Sequence, residues 1–232
     1  MPAPRFTPGT LAFLRALKRN NDREWFRARR EEYDAVVRRP MVAFIERLSE
    51  DFRAVAPHLV ASERVSLYRV YRDTRFSADK APLKTHIAAI FPWKGLPKHE
   101  GAGLYFHVGP GEVWAGGGMY RPQTAQLHRV REHIAAHHRR FRAIVESPAF
   151  RRRTGGLDGE RLQRVPRGFP PDHPAAEYLK YRQFLAGREY PARLATGPRF
   201  YATLLALFRE IAPLIVFLNE PLVAAPRDPL RP

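Results

Sequence analysis

"GLYFHVGPGEVWAGGGMY", residues 103–120, decides the fold class of this 232-residue chain. Its first and last parts are rich in aromatic and branched residues, and the Pro/Gly-containing "GPGE" between them is a turn signal, so the stretch reads as two strands of a hairpin. Two further strand-like runs precede it, "VSLYRVY" from Val65 and "HIAAIF" from His86. Four strand candidates in succession predict an antiparallel meander.

Before Val65 the apolar period is helical. "TLAFLRALKRN" sets Leu11, Leu14 and Leu17 at helical spacing, and "NNDREWF" offers Asn21 as an N-cap with Glu24 three residues on, a capping-box signature. The next helix carries Trp25, Phe26 and Tyr33 towards a core. Pro40 interrupts it, and "MVAFIERLSEDFRAV" continues with Val42, Ile45, Leu48 and Phe52 on one stripe. After the hairpin, Pro122 fits the first position of a helix running to about Ser147, with Leu127, Val130, Ile134, Phe141 and Val145 on its buried side. Residues 151–174 are punctuated by Gly and Pro and read as loop. A short helix over 177–185 and a long one from about 198 to 218 close the fold, and the tail over 224–232 is expected to be mobile. Helices in blocks around a meander give the α+β class, with helices packed around an antiparallel sheet. No repeat or dividing linker is visible, so one domain over 1–232 is expected, with its globular core over about 6–218.

The formal net charge is +17 and the isoelectric point near 10.9. Such an excess attracts polyanions through counterion release, but most of these cations are arginine alongside abundant alanine and proline, the mark of a GC-rich coding bias on ordinary surfaces. Cysteine is absent, which excludes disulfides, thiolate metal sites and cysteine nucleophiles. The start "MPAPRFTPGT" lacks the apolar core of a secretory signal. The most apolar run, residues 201–218, carries Arg209 and Glu210 at its centre and reads as a core helix, so the expected location is the cytoplasm.

Chemistry concentrates in "YRVYRDTRFSADKAPLKTH", residues 68–86. Arg69, Arg72, Arg75, Lys80 and Lys84 face only Asp73 and Asp79, in a loop that Pro82 stiffens. Arginine forks match carboxylate and phosphate oxygens and lysine adds a point charge, so the connector is a candidate anion pocket. Its alternative is an ion-pair web that merely orders the loop. Gly116, Gly117 and Gly118 permit close approach of a ligand or of a neighbouring backbone. The spacing is not that of a nucleotide-binding loop. His86 and His107, in strand segments near the connector, are the candidate proton-handling groups, and Asp73 a further candidate that its cationic neighbours should hold ionised. His133 and His137 stand four apart on a helix, but without an HExxH frame they imply no metal, and no cofactor is expected. Thr74 and Ser77 lack the frame of a nucleophile.

"YRDTRFSADKAPLKTH", "GGGMYRP", "PRGFPPDHP" and the early "NNDREWF" together resemble the bacterial family catalogued as domain of unknown function 2461, over about residues 6–218. The resemblance implies a single α+β domain whose recurring polar residues correspond to Arg69, Arg72, Asp73, Arg75, Phe76, Asp79, Lys80, Pro82, Lys84 and His86, with Gly116, Gly117 and Gly118. It implies no activity. Ala78, Ala81 and Leu83 stand where the family pattern has lysine, threonine and tyrosine, which argues against a chemistry that needs that hydroxyl or phenol here.

The leading expectation is a small phosphate- or carboxylate-bearing ligand held by Arg69, Arg72, Arg75, Lys80 and Lys84, with His86 or His107 handling protons if a reaction occurs. The alternatives are sequence-independent nucleic-acid binding by the basic exterior and a purely structural web. No membrane partner is expected.

Overall fold

The computed structural model describes residues 3–75 and 78–223. The expected mobile tail, Phe76 and Ser77 lie outside them. Ten α-helices are found among the described residues: α1 Pro8–Arg19, α2 Arg23–Ala28, α3 Arg30–Tyr33, α4 Arg39–Val55, α5 Glu63–Ser66, α6 Thr124–Ala136, α7 His138–Val145, α8 Pro148–Thr154, α9 Ala176–Leu179 and α10 Phe200–Val223. Four strands, β1 Ile87–Phe91, β2 Gly103–Val108, β3 Glu112–Met119 and β4 Phe184–Pro191, form one sheet in the order β1-β2-β3-β4. The expected α+β antiparallel meander is what the chain adopts.

Its strands are not all the expected ones. "VSLYRVY" starts inside α5, capped by the Ser62 hydroxyl, and its remainder makes only isolated antiparallel bridges, Leu67 with Ala89 and Tyr71 with Leu83. The fourth strand is instead β4, in a region where a helix over 177–185 was expected; α9 ends at Leu179. Gly187, Arg188, Glu189 and Pro191 give β4 little intrinsic strand preference, and as the last strand in the order it tolerates proline at its end.

By internal packing the residues fall into two compact units. The first comprises Met1–Phe91, Tyr105–Ala115 and Arg188–Ala206. Its core is a chain of aromatic rings: Phe6 stacks on Phe44 at 4.8 Å, Phe44 meets Phe106 at 5.9 Å, and Phe52 meets Phe91 edge-on at 5.1 Å. The α4 stripe buries Met41, Phe44, Ile45, Leu48 and Phe52. Pro40 falls at the start of α4, and the interruption it causes is a π-helical turn over Asp34–Arg38 rather than a break. The N-cap of α2 is Asp22, whose carboxylate accepts from the Glu24 and Trp25 amides. Asn21, the expected cap, is committed elsewhere. Its side chain donates to Leu83 O at 2.9 Å and accepts from Leu83 N at 3.0 Å.

The second unit comprises Pro92–Leu104, Gly116–Gly187 and Leu207–Pro232. The expected helix from Pro122 to Ser147 is two, separated at His137, with the N-cap at Gln123 and Pro122 just outside. Val130, Ile134, Phe141 and Val145 are buried as expected, and Phe141 packs on Phe217 at 5.2 Å. α10 is long and apolar enough to cross a membrane by length and composition alone; 56% of its apolar window is buried within the protein. It also carries a polar clamp: Asn219, fully buried, accepts from Ala102 N at 2.8 Å and donates to Ala102 O at 2.9 Å.

Replacing Asn219 by Ala strands both backbone groups of Ala102 away from water, each at about 1–3 kcal/mol. The Asn219→Ala variant should therefore unfold at clearly lower urea concentration, with a loss of roughly 2–6 kcal/mol. An unchanged midpoint would refute the clamp.

Candidate functional site

The antiparallel alternation of β2 and β3 sorts side chains onto two faces. Phe106, Val108, Val113 and Ala115 are buried, whereas Tyr105, His107, Glu112 and Trp114 stand half-buried on the opposite face. His86, two residues before Ala88, precedes β1 and joins this second face: its ring lies 4.8 Å from that of His107. The structure thus brings together the two histidines singled out in the sequence.

They are linked to groups that were not. Tyr105 Oη is 3.1 Å from His107 Nδ1, and Glu112 Oε1 is 3.6 Å from His107 Nε2. An ionised carboxylate can only accept, so it favours the tautomer with the proton on Nε2, and Nδ1 is then the acceptor of the Tyr105 hydroxyl proton. Tyr105 also packs against Trp114 at 5.8 Å and against Tyr68 edge-on at 6.2 Å. Lys84 holds its ammonium 4.7 Å above the Tyr68 ring. Next to Tyr68, an open concavity of about 430 Å³ is lined by Glu63, Arg64, Leu67, Tyr68 and Arg69.

Burial governs the protonation of this face. It pushes His86 down to about 4, reinforced by repulsion from His107 when that ring is protonated and from Lys84. His107 is lowered by burial as well, against the opposing pull of Glu112. Burial raises the phenols of Tyr105 and Tyr68. At neutral pH the face therefore carries uncharged imidazoles and phenols, bordered by the Lys84 cation.

The connector behaves differently. Arg72 pairs with Asp79, whose carboxylate also accepts from Ala81 N at 2.9 Å. Arg75 grips Asp73 through two bonds of 3.0 and 2.8 Å. Hydrogen bonds from Arg75 hold Asp73 down at about 2, and Arg72 lowers Asp79 likewise. Lys80 donates to Thr74 O at 3.1 Å. Two of the five connector cations thus meet the two connector acids, and Asp73 is occupied by its own neighbour.

The glycines are explained by packing. A Cβ on Gly117 would lie 2.7 Å from Leu104 Cδ2, and one on Gly118, at φ +135, would lie 1.9 Å from Phe184 O. These positions exclude side chains because backbone and helix occupy the space, while Gly116 is buried in the same strand. His133 and His137 adjoin each other at 4.6 Å, but His133 bonds Glu220 at 3.0 Å, and among the described residues no group of three or more His, Asp or Glu is placed to hold a metal.

The His86 environment sets a pH dependence with a definite sign. An unfolded histidine titrates near 6.5 and the folded one near 4, so between these values the folded state binds fewer protons and loses stability as pH falls. Wild type should lose roughly 1–3 kcal/mol more than His86→Gln between pH 7 and pH 4. The His86 ring resonance, followed by NMR, should show no protonation midpoint near 6.5.

The family model described as "Conserved hypothetical protein (DUF2461)" matches residues 9–217. No curated protein and no solved structure matches the chain. With the meander, the arginine-rich connector and the triple glycine all inside the matched span, the chain belongs to the DUF2461 family.

Proposed function

We propose that the protein binds a small phosphate- or carboxylate-bearing ligand against the polar face of its sheet, and that Tyr105 and His107 exchange a proton with it. The observation that carries this is the directed chain from Tyr105 Oη through His107 to the Glu112 carboxylate, beside the His86 ring. Lys84 and Arg69 supply positive charge next to it, and Tyr68 and Trp114 supply apolar walls. A ligand hydroxyl placed at Tyr105 would pass its proton to the phenolic oxygen while the phenol proton moves to His107 Nδ1. Glu112 steadies the resulting imidazolium, as the acidic partner does in other oriented histidines. The same steps in reverse protonate the ligand.

The ion pairs of the connector support a separate role for Arg72 and Arg75. Each orders the loop through an aspartate of the same loop, which is the structural alternative applied to those two residues. Arg69 and Lys84 remain the ligand-facing cations of the proposal.

Calorimetry against a panel of carboxylates, sugar phosphates and nucleotides tests the assignment. Wild type should give saturable heat with at least one compound, Tyr105→Phe and Lys84→Met should each weaken it about tenfold or more, and Arg72→Ala should lower the melting temperature with little change in affinity. No saturable heat from the whole panel would sink the proposal. Binding that keeps its strength in Tyr105→Phe and Lys84→Met, and falls steeply with salt, would instead assign the activity to the basic exterior.

A further inference from the structure

Arg131 is unlike the surface arginines that give the chain its charge. It lies on α6 in the second unit and is 8% exposed. One of its terminal nitrogens donates to Tyr181 O at 2.9 Å, while the buried Nε has no acceptor. No ion pair among the described residues includes it, and the charged group that acts on it is another cation, Arg182. A guanidinium keeps its proton at any ordinary pH, so this mostly buried positive charge has one neutral carbonyl as its hydrogen-bond acceptor among the described residues. Uncompensated buried charge is strongly unfavourable, and an orphaned buried donor of this kind calls for a cause.

The surroundings are fixed. The carbonyl that receives Arg131 belongs to the peptide joining Tyr181 to Arg182, and that peptide lies in a short antiparallel ribbon in which Leu162 N reaches Lys180 O and Arg182 N reaches Glu160 O, both at 2.8 Å. Tyr181 is itself buried, stacked on Phe184 at 5.8 Å, with its hydroxyl donating to Leu157 O at 3.2 Å. Arg182, by contrast, has a side chain 60% exposed, and its partner Glu160, 3.3 Å away, is 68% exposed. A pair so open to water is held weakly and exchanges readily for a stronger acceptor.

We propose that Arg131 and Arg182 form a subsite for the terminal oxyanion of a small ligand, a phosphate monoester or a carboxylate. Arg131 provides a fixed guanidinium edge from within, and Arg182 leaves Glu160 to close on the anion from the solvent side. The group must be terminal because a guanidinium so deeply covered offers little of its fork, and a phosphodiester carries substituents on both sides. This subsite shares no residue with the sheet face, and neither depends on the other.

Thermal melting in inorganic phosphate against chloride, at equal pH and ionic strength, tests it. Phosphate should raise the wild-type melting temperature by several degrees in a saturable manner, since a ligand that binds only the folded state stabilises it by mass action. Arg131→Lys, which keeps a donor for the Tyr181 carbonyl but not the fork, should lose the response. Arg182→Gln, a surface change that leaves folding intact, should shift its midpoint about tenfold to higher phosphate. Methyl phosphate or acetate should reproduce the effect and dimethyl phosphate should not. Equal melting of wild type in the two salts, a response that both variants retain, or equal stabilisation by dimethyl phosphate would each overturn the subsite.

Discussion

Every backbone N–H and C=O that leaves regular structure and is withdrawn from water must find a partner, and the segment between α5 and β1 satisfies this requirement in a way that places the site. Tyr68 N bonds Ala88 O, Lys84 N bonds Val70 O, and Arg72 N bonds Pro82 O, so the chain folds back along itself without forming a full strand. Asn21 closes the arrangement from outside by taking both backbone groups of Leu83. The consequence is positional. Tyr68 comes within ring contact of Tyr105, Lys84 over Tyr68, and His86 beside His107.

Charge count and electrostatic demand turn out to be different things in this molecule. The connector is densely charged, yet each of its ion pairs has a well-exposed member, with side-chain exposures of 76% for Arg75 and 65% for Asp79. Water screens such pairs, and they order a loop without creating strong unmet potential. The perturbed electrostatics lie where burial rather than charge count governs: at His86, pushed down to about 4 by burial, and at Arg131, mostly buried and paired with no acid among the described residues. A single buried ionisable group outweighs several solvated ones because desolvation scales with what is removed from water rather than with how many charges the sequence contains.

This explains what could be read in the sequence. Periodicity reports one-dimensional repetition, so the α1 and α4 stripes, the β2–β3 hairpin and the α+β class were all legible. β4 was not, because Gly187, Arg188 and Glu189 have poor strand preference and only pairing makes them extended. Asn21 and Asp22 are equally good caps, and the choice between them was made by Leu83, 62 residues away. Within the site, His86 and His107 were legible as residue types, whereas Tyr105 and Glu112 were hidden by their ordinariness. One signal pointed to Tyr105, its two-residue spacing from His107 on a strand, which puts both on one face. Nothing local distinguished Glu112, whose value depends on the turn that folds it back.

That turn connects the most legible feature of the chain to the least. Gly109 and Glu112 close the hairpin through Gly109 N to Glu112 O at 2.8 Å, and a Cβ on Gly109 would lie 2.3 Å from Glu112 Oε1. The carboxylate therefore folds back over a glycine that has no side chain to displace it, which is how it comes to face His107 Nε2. An ionised acid there favours the imidazole tautomer with its proton on Nε2, and the tautomer decides whether Tyr105 donates or accepts. With Tyr105 donating to the ring, its phenolic oxygen keeps its acceptor capacity. The glycine that marks a turn in the sequence is thus also what leaves room for the Glu112 carboxylate beside His107, and in the relay proposed above a bulkier residue there would displace the acid from the ring.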